Sequence, residues 1–183
     1  NTMISPEKYL DDNKLKIKNF LKIYKEYESF KSENNLIDFD DMLTHAYMIL
    51  QEDERILNRI RKAFKFIQVD EAQDTSKIQI KIIILIAQPL NNLFIVADDD
   101  QSIYGFRGAF PTDLLSFPKR YKDAKVFFME ENFRSSADIV GLANKFINKN
   151  KLRYKKNMIA TKNKSEPIKL IRGKNLGAEH SYL

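Results

Sequence analysis

Cysteine is absent from the 183 residues of this chain. That excludes a disulfide scaffold, a Cys-ligated zinc or iron–sulfur site, and thiol catalysis. Histidine occurs only at His45 and His180, too few for a His-rich metal centre. Glycine is scarce, and the first is Gly105. The pattern Gly-x-x-x-x-Gly-Lys-[Ser/Thr] occurs nowhere, so the backbone loop that cradles nucleotide phosphates is missing. The longest apolar run, Ile82 to Ala87, falls far short of the ~20 residues that span a bilayer. The opening Asn-Thr-Met-Ile-Ser-Pro-Glu lacks the basic and apolar regions of a signal peptide. No membrane association and a cytoplasmic location are the expectation.

What is present describes a globular chain. Hydrophobic residues make up 43% and charged residues 31%, a balance that folds rather than staying disordered. The length suits one domain or two small ones. The net charge of +6 is uneven. Residues 145–174 hold eleven basic side chains and one acidic, a local charge of +10, so the remainder is −4. A polyanion such as a nucleic-acid backbone would suit that segment. By charge alone, a solvated lysine-rich surface explains it slightly better.

Periodicity sets out the elements. Ser5-Pro6 reads as an N-cap with proline at the first helical position, opening a helix over 6–31. Its stripe of Phe20, Tyr24, Tyr27 and Phe30 reads as core packing. A second helix starts at Asp38, with Asp41 three residues on as a variant capping box. Met42, Leu43, Ala46, Tyr47 and Leu50 form its apolar face. A third helix covers 53–63. Phe64–Val69 then reads as a strand. A helix capped by Ser76 runs to Gln88 and is stopped by Pro89. Leu93–Ala97 is a second strand, 112–118 a short helix and Lys125–Met129 a third strand. Ser135-x-x-Asp138 caps a helix ending near Asn148. Residues 149–166 read as loop, and Pro167–Ile171 as a fourth strand. Alternation of strands and helices predicts an α/β fold with a mainly parallel sheet.

Ligands of such sheets bind beyond the carboxyl ends of the strands, and two strands here end in acids. The first string is Val69-Asp70-Glu71-Ala72-Gln73-Asp74-Thr75. A strand-end aspartate suits Mg²⁺ that carries nucleotide phosphates, and an adjacent glutamate can polarise water. Taken alone, the pair is better explained as the cap of the next helix. The second is Asp98-Asp-Asp-Gln-Ser-Ile-Tyr-Gly-Phe-Arg-Gly-Ala109. It lacks the ligand order of a calcium loop. Gln101 can sense a phosphate oxygen or bound water. Tyr104, Phe106 and Arg107 offer the chemistry that stacks single-stranded bases and holds a phosphate. Core packing is the better account of Phe110 and an equal one for Tyr104. The third is Met129-Glu-Glu-Asn-Phe-Arg-Ser-Ser136. Arg134 can reach a phosphate or pair with Glu130 or Glu131, and Phe133 can stack on a base or pack.

Together and in this order, the three strings resemble the UvrD/Rep/PcrA group of superfamily 1 DNA helicases, from about residue 20 to 150. Val69–Thr75 resembles the family's Walker B motif, Asp98–Ala109 its third motif and Glu131–Ser135 its fourth. Asp38-Phe-Asp-Asp-Met-Leu43 matches a stretch common before the Walker B strand. The resemblance implies a partial RecA-like parallel sheet flanked by helices, with a helical N-terminal segment. It implies ATP and Mg²⁺ as cofactors and single-stranded DNA as partner. Asp70 would bind Mg²⁺, and Glu71 would activate water. Gln101 would couple the γ-phosphate to the DNA site, which Tyr104, Phe106 and Arg107 would touch. Arg134 would contact the γ-phosphate from the second motor domain. Phe133 would stack on adenine where the family usually has tyrosine. Phe106 stands where the family often has tryptophan, and Ala97 where glycine is common.

The implied domains are 1–35, the end of a helical insertion; 36–124, the Walker B half of the first motor domain; and 125–183, the start of the second. The missing phosphate loop marks the chain as an excised piece of a longer helicase, inactive alone, with an exposed sheet edge through which it self-associates. The alternative is a non-catalytic single-strand-binding module derived from a helicase. A metal-dependent nuclease is disfavoured, since the acid clusters end different strands and no Lys-bearing nuclease motif accompanies them.

Overall fold

The computed structural model describes residues 4–12, 18–102, 115–166 and 168–169. The chain divides into two compact units, Asn1–Phe117 and Pro118–Leu183. In the first, helices α1 (Pro6–Asp12), α2 (Phe20–Glu33), α3 (Phe39–Glu52) and α4 (Glu54–Ala63) precede strand β1 (Ile67–Val69). Helix α5 (Lys77–Ala87) then crosses to strand β2 (Leu93–Ile95). Helix α6 (Phe117–Arg120) spans the boundary. The second unit holds strand β3 (Glu131–Ser136), helix α7 (Ala137–Ile147) and strand β4 (Ile159–Lys162).

Local chemistry explains the helix starts. The Asp38 side chain accepts from the backbone N–H of Asp40 and Asp41, and Asp41 accepts from the Asp38 N–H, closing the capping box. Asp53 caps α4 through Arg55 and Ile56. Ser76 and Gln79 close a second capping box at α5. That box starts a helix in an isoleucine-rich stretch, whose β-branched side chains would by propensity alone favour a strand.

In the first unit β1 and β2 pair in parallel, with Ile67 opposite Leu93 and Val69 opposite Ile95. Helix α5 is the crossover that parallel pairing demands. It packs against α3 and α4, and Leu50, Leu57, Ile78 and Ala87 form the buried apolar centre. Arg61 of α4 donates to the Leu85 carbonyl through Nη2 at 2.7 Å and Nε at 3.0 Å. It thereby satisfies a carbonyl in the last turn of α5 that has no intrahelical partner.

A buried cation ties α2 to the start of α3. Lys31 is only 5% exposed. Its Nζ lies 2.8 Å from Asp41, 3.0 Å from Asp38 and 3.0 Å from Glu28. The Tyr27 hydroxyl also donates to Asp38, at 3.0 Å. The hydrogen bond to Asp41, reinforced by those to Asp38 and Glu28, raises the Lys31 pKa. The Asp41 backbone N–H and Lys31 hold Asp38 down at about 2.

In the second unit β3 and β4 pair in parallel, with Glu131 opposite Ile159, Asn132 opposite Ala160 and an irregularity before Ser136. Asn144 of α7 exchanges two hydrogen bonds with the Met158 backbone, 2.8 and 3.2 Å, and so docks the helix on the approach to β4. Val140 is buried. The whole is mixed α/β with short parallel strands, consistent with the partial RecA-like fold expected. Among the described residues no helix is long and apolar enough to cross a membrane.

Several expectations need correction. The helix over 6–31 is described as α1 and α2, with 13–17 outside the described residues. Tyr24, Tyr27 and Phe30 are exposed, so most of the aromatic stripe is not core. Helical spacing identifies a face but not what covers it, and α2 is tied to α3 through Lys31 and Tyr27. Met42 is likewise exposed, while Leu50 of the same face is buried. The third strand lies at 131–136 rather than 125–129. Its place is set by pairing with β4, through Ile159 N–H to the Glu130 carbonyl at 2.7 Å, and the apolar run Val126–Met129 stays exposed. Strand β4 falls inside the stretch read as loop. Residues 168–169 are not strand, and 167, 170 and 171 lie outside the described residues. Of the helix expected at 112–118, residues 112–114 lie outside the described residues, and the helix that is described runs Phe117–Arg120. Helix α7 takes Ser136 rather than Ser135 as its N-cap, without a side-chain cap bond; the expected Ser135–Asp138 pairing is absent, since the Ser135 N–H donates to Asn132 Oδ1 and the Asp138 carboxylate accepts from the Ser165 N–H.

Candidate functional site

Strand β1 ends at Val69 and delivers Asp70 and Glu71 to an exposed turn. The Asp70 carboxylate accepts from the Glu71 N–H at 2.9 Å. Glu71 has φ 49° and ψ 41°, a left-handed conformation sparsely used by residues other than glycine. Such geometry persists where the surroundings over-determine it. A 3₁₀ turn, Ala72–Asp74, follows and leads into the Ser76 cap of α5.

Strand β2 runs beside β1 and delivers Asp98 to the same end of the pair. The backbone ladder continues past the strands, with Val96 N–H to the Val69 carbonyl at 2.8 Å and Ala72 N–H to the Val96 carbonyl at 3.1 Å. A 3₁₀ turn, Asp99–Gln101, closes this second loop. Gln101 donates its side-chain amide to Asp98 Oδ2 at 2.7 Å. Asp98, Asp99 and Asp100 each bring a carboxylate oxygen within 4.8 Å of the others. Asp99 is buried and its two neighbours half-buried, and the cluster by itself assigns no metal.

Sequence reasoning passed over the residue that joins these loops. Gln73 is 2% exposed. Its Nε2 donates to the Glu71 carboxylate, and its Oε1 accepts from the Asp98 N–H at 3.0 Å. Only this orientation of the amide serves both partners, because a backbone N–H cannot accept and a carboxylate cannot donate. The available signal was an amide set among ionisable and hydroxyl neighbours in a turn, where a solvated loop has no need of one.

The fold thus brings Asp70, Glu71 and Gln101 to one end of the parallel pair, where α/β sheets bind ligands. As hard oxygen donors on an exposed turn, Asp70 and Glu71 fit a Mg²⁺ ion that keeps several waters and substrate oxygens. Tyr104, Phe106 and Arg107, together with Phe110, lie outside the described residues.

Phe133 and Arg134 belong to the second unit, within β3. Phe133 is 67% exposed, a ring free to stack rather than one buried in packing. Arg134 is exposed as well. Its N–H donates to Asn132 Oδ1 at 3.0 Å, as does that of Ser135 at 2.8 Å, and its carbonyl accepts from Lys162 at 2.9 Å. Among the described residues no ion pair joins Arg134 to Glu130 or Glu131. Glu130 instead accepts from the Asn157 N–H at 2.8 Å.

Comparison with known proteins matches two sequence families. The UvrD/REP helicase N-terminal domain matches residues 1–122, and the UvrD-like helicase C-terminal domain matches residues 127–183. The chain is 37% identical over 158 residues to the ATP-dependent DNA helicase Rep of Buchnera aphidicola, covering 86% of this chain and 24% of that protein. It is 39% identical over 136 residues to the ATP-dependent DNA helicase PcrA of Staphylococcus epidermidis, covering 74% of this chain and 19% of that protein. The chain therefore spans about a quarter or less of the length of these relatives.

Proposed function

Since the chain belongs to the UvrD/Rep helicase family, we propose that it carries part of the ATP-hydrolysis and single-stranded DNA sites of an ATP-dependent DNA helicase. The observation that carries this reading is the pairing of two loops at one end of β1 and β2. One bears Asp70 and Glu71 and the other Gln101. Residues 1–35 are the end of a helical insertion, 36–124 the Walker B half of the first RecA-like motor domain, and 125–183 the start of the second. The protein acts in the cytoplasm.

Each residue has a role that its chemistry supports. Asp70 is the ligand for Mg²⁺, which when bound neutralises phosphate charge. Glu71, an exposed carboxylate held by Gln73, orients the attacking water and accepts its proton. Gln101 senses the γ-phosphate and links it to the DNA loop. In that loop Tyr104 and Phe106 stack on bases, and Arg107 holds a phosphate. Arg134 neutralises charge on the transferred phosphoryl group. Phe133 stacks on adenine.

The test has two arms. In the full-length helicase carrying this segment, Glu71→Gln abolishes single-strand-stimulated ATP hydrolysis, and undiminished hydrolysis sinks the assignment. The isolated chain shows no turnover above its own Glu71→Gln control. Turnover there would mean that phosphates can be held without a glycine-rich loop. The isolated chain also self-associates through its two-stranded sheet edge. The +10 segment at 145–174 favours a second reading, a non-catalytic single-strand-binding module. Tight binding to single-stranded DNA that falls steeply with salt, in a full-length protein without hydrolysis, would select it.

A further inference from the structure

We propose that Gln73 is the positioning residue that fixes the Glu71 carboxylate against the Asp98–Gln101 loop, so that the water-orienting acid and the phosphate-sensing amide move as one unit. This rests on the hydrolysis reading above and deepens it.

The two loops leave separate strands, and each carries its functional side chain at the surface. Between them runs a continuous chain of hydrogen bonds. Gln101 Nε2 donates to Asp98 Oδ2. The Asp98 N–H donates to Gln73 Oε1. Gln73 Nε2 donates to the Glu71 carboxylate. Every donor in the chain points the same way along it, from Gln101 towards Glu71. Gln73 is the one member fully enclosed by the fold, so it is the fixed point and the others are set from it. The backbone bond from Ala72 N–H to the Val96 carbonyl holds the loops at this separation but reaches neither functional side chain. The left-handed turn at Glu71 aims its side chain back at Gln73. A displacement of Gln101, by a ligand on its loop, would be felt at Glu71 through one amide.

Two substitutions separate the two halves of that amide. Gln73→Glu keeps an oxygen for the Asp98 N–H but sets a carboxylate against Glu71. Gln73→Leu removes both contacts. In this chain, amide hydrogen exchange at Asp98 should quicken at least about tenfold in Gln73→Leu and stay slow in Gln73→Glu, since a protected amide requires its acceptor. In the full-length helicase, Gln73→Glu should lower kcat by about tenfold to a hundredfold with KM for ATP within about twofold, because a misaimed base impairs the chemical step and not binding. Its stimulation by single-stranded DNA should fall in step. Unchanged Asp98 exchange in Gln73→Leu, or wild-type kcat in Gln73→Glu, overturns the proposal. A rise in KM with kcat intact does the same, by making the amide a binding element. The hydrolysis reading fails separately, through a Glu71→Gln enzyme that still turns over, and that result leaves the exchange measurement as an independent test of the loop coupling.

Discussion

Two stretches of this chain present proposed site residues, Asp70 and Glu71 after β1 and Arg134 in β3, and they are built in opposite ways. After β1, the turn through Asp70–Ser76 is held from outside itself. Gln73 reaches the loop after β2, and Ser76 and Gln79 cap the next helix reciprocally. Within β3, at the irregularity before Ser136, the backbone is held from within. Asn132 accepts from the N–H groups of Arg134 and Ser135, two and three residues on, and the helix N-cap Ser136 makes no side-chain cap bond. The first junction is a shared structure, joined to the loop after β2 through the Gln73 amide. The second is a local Asx turn presenting an exposed arginine. The water-orienting role proposed for Glu71 calls for the former. A long cation that reaches for a phosphate can work from the latter.

The largest expected effect tests the presented arginine. In the full-length helicase, Arg134→Ala should cut kcat by about 10³-fold, with the folded state unaffected, since the side chain is exposed. Arg134→Lys should recover little, because a point charge does not replace a planar fork. A fall of less than about tenfold would make Arg134 a surface residue and leave the second junction without a catalytic role.

A smaller effect compares how the junctions are held. Gln73→Ala removes the acceptor that Gln73 offers the Asp98 N–H, at a cost of about 1–3 kcal/mol in the first unit. Asn132→Ala opens its turn to water, and should cost about 1 kcal/mol or less in the second. Urea unfolding, read by hydrogen exchange in α5 and α7 separately, resolves the two. Equal costs would erase the contrast. The caps sharpen it further. Ser76→Ala should cost about 1 kcal/mol. Ser136→Ala should cost close to nothing, as no cap bond is lost.

The same contrast explains what was legible in the sequence. Elements announced by their own residues were found where expected. Asp38 with Asp41 and Ser76 with Gln79 are complete local devices, and α3 and α5 start on them. Strands β1 and β2 lie within the stretches expected, but the two strands of the second unit do not. Strand β4 sits in a polar, basic stretch and exists because β3 pairs with it. Strand β3 itself is displaced from the apolar run that suggested it. For the candidate site, Asp70, Glu71, Gln101 and Arg134 were legible as residue types in ordered strings. Gln73 was not, because its significance lies in Asp98, twenty-five residues away. Lys31 was missed for the same reason: a lysine on an exposed-looking helix gives no hint of three acids around it.

That lysine supplies a further small effect and the last comparison, between a bond to an amide and a tie made by charge. Asp38 has its pKa lowered to about 2 by the Asp41 N–H and Lys31. An unfolded aspartate titrates near ~3.9. A depressed carboxylate gives stability that is complete above the unfolded value and is lost as pH falls through the folded one. The tie between α2 and α3 should therefore be intact at about pH 5, weaken from about pH 4 and be gone near about pH 2. Asp38 is about one-third exposed, so solvent screening keeps the loss small. The bond from the Asp98 N–H to the Gln73 amide oxygen joins two groups that do not themselves titrate, and only the other half of that amide meets a carboxylate. Hydrogen exchange from about pH 5 to about pH 2 should thus release the α2–α3 contact while the Asp98 N–H stays protected. Simultaneous release of both would mean that the two ties belong to one cooperative unit, and the distinction between a charged anchor and an amide anchor would fall.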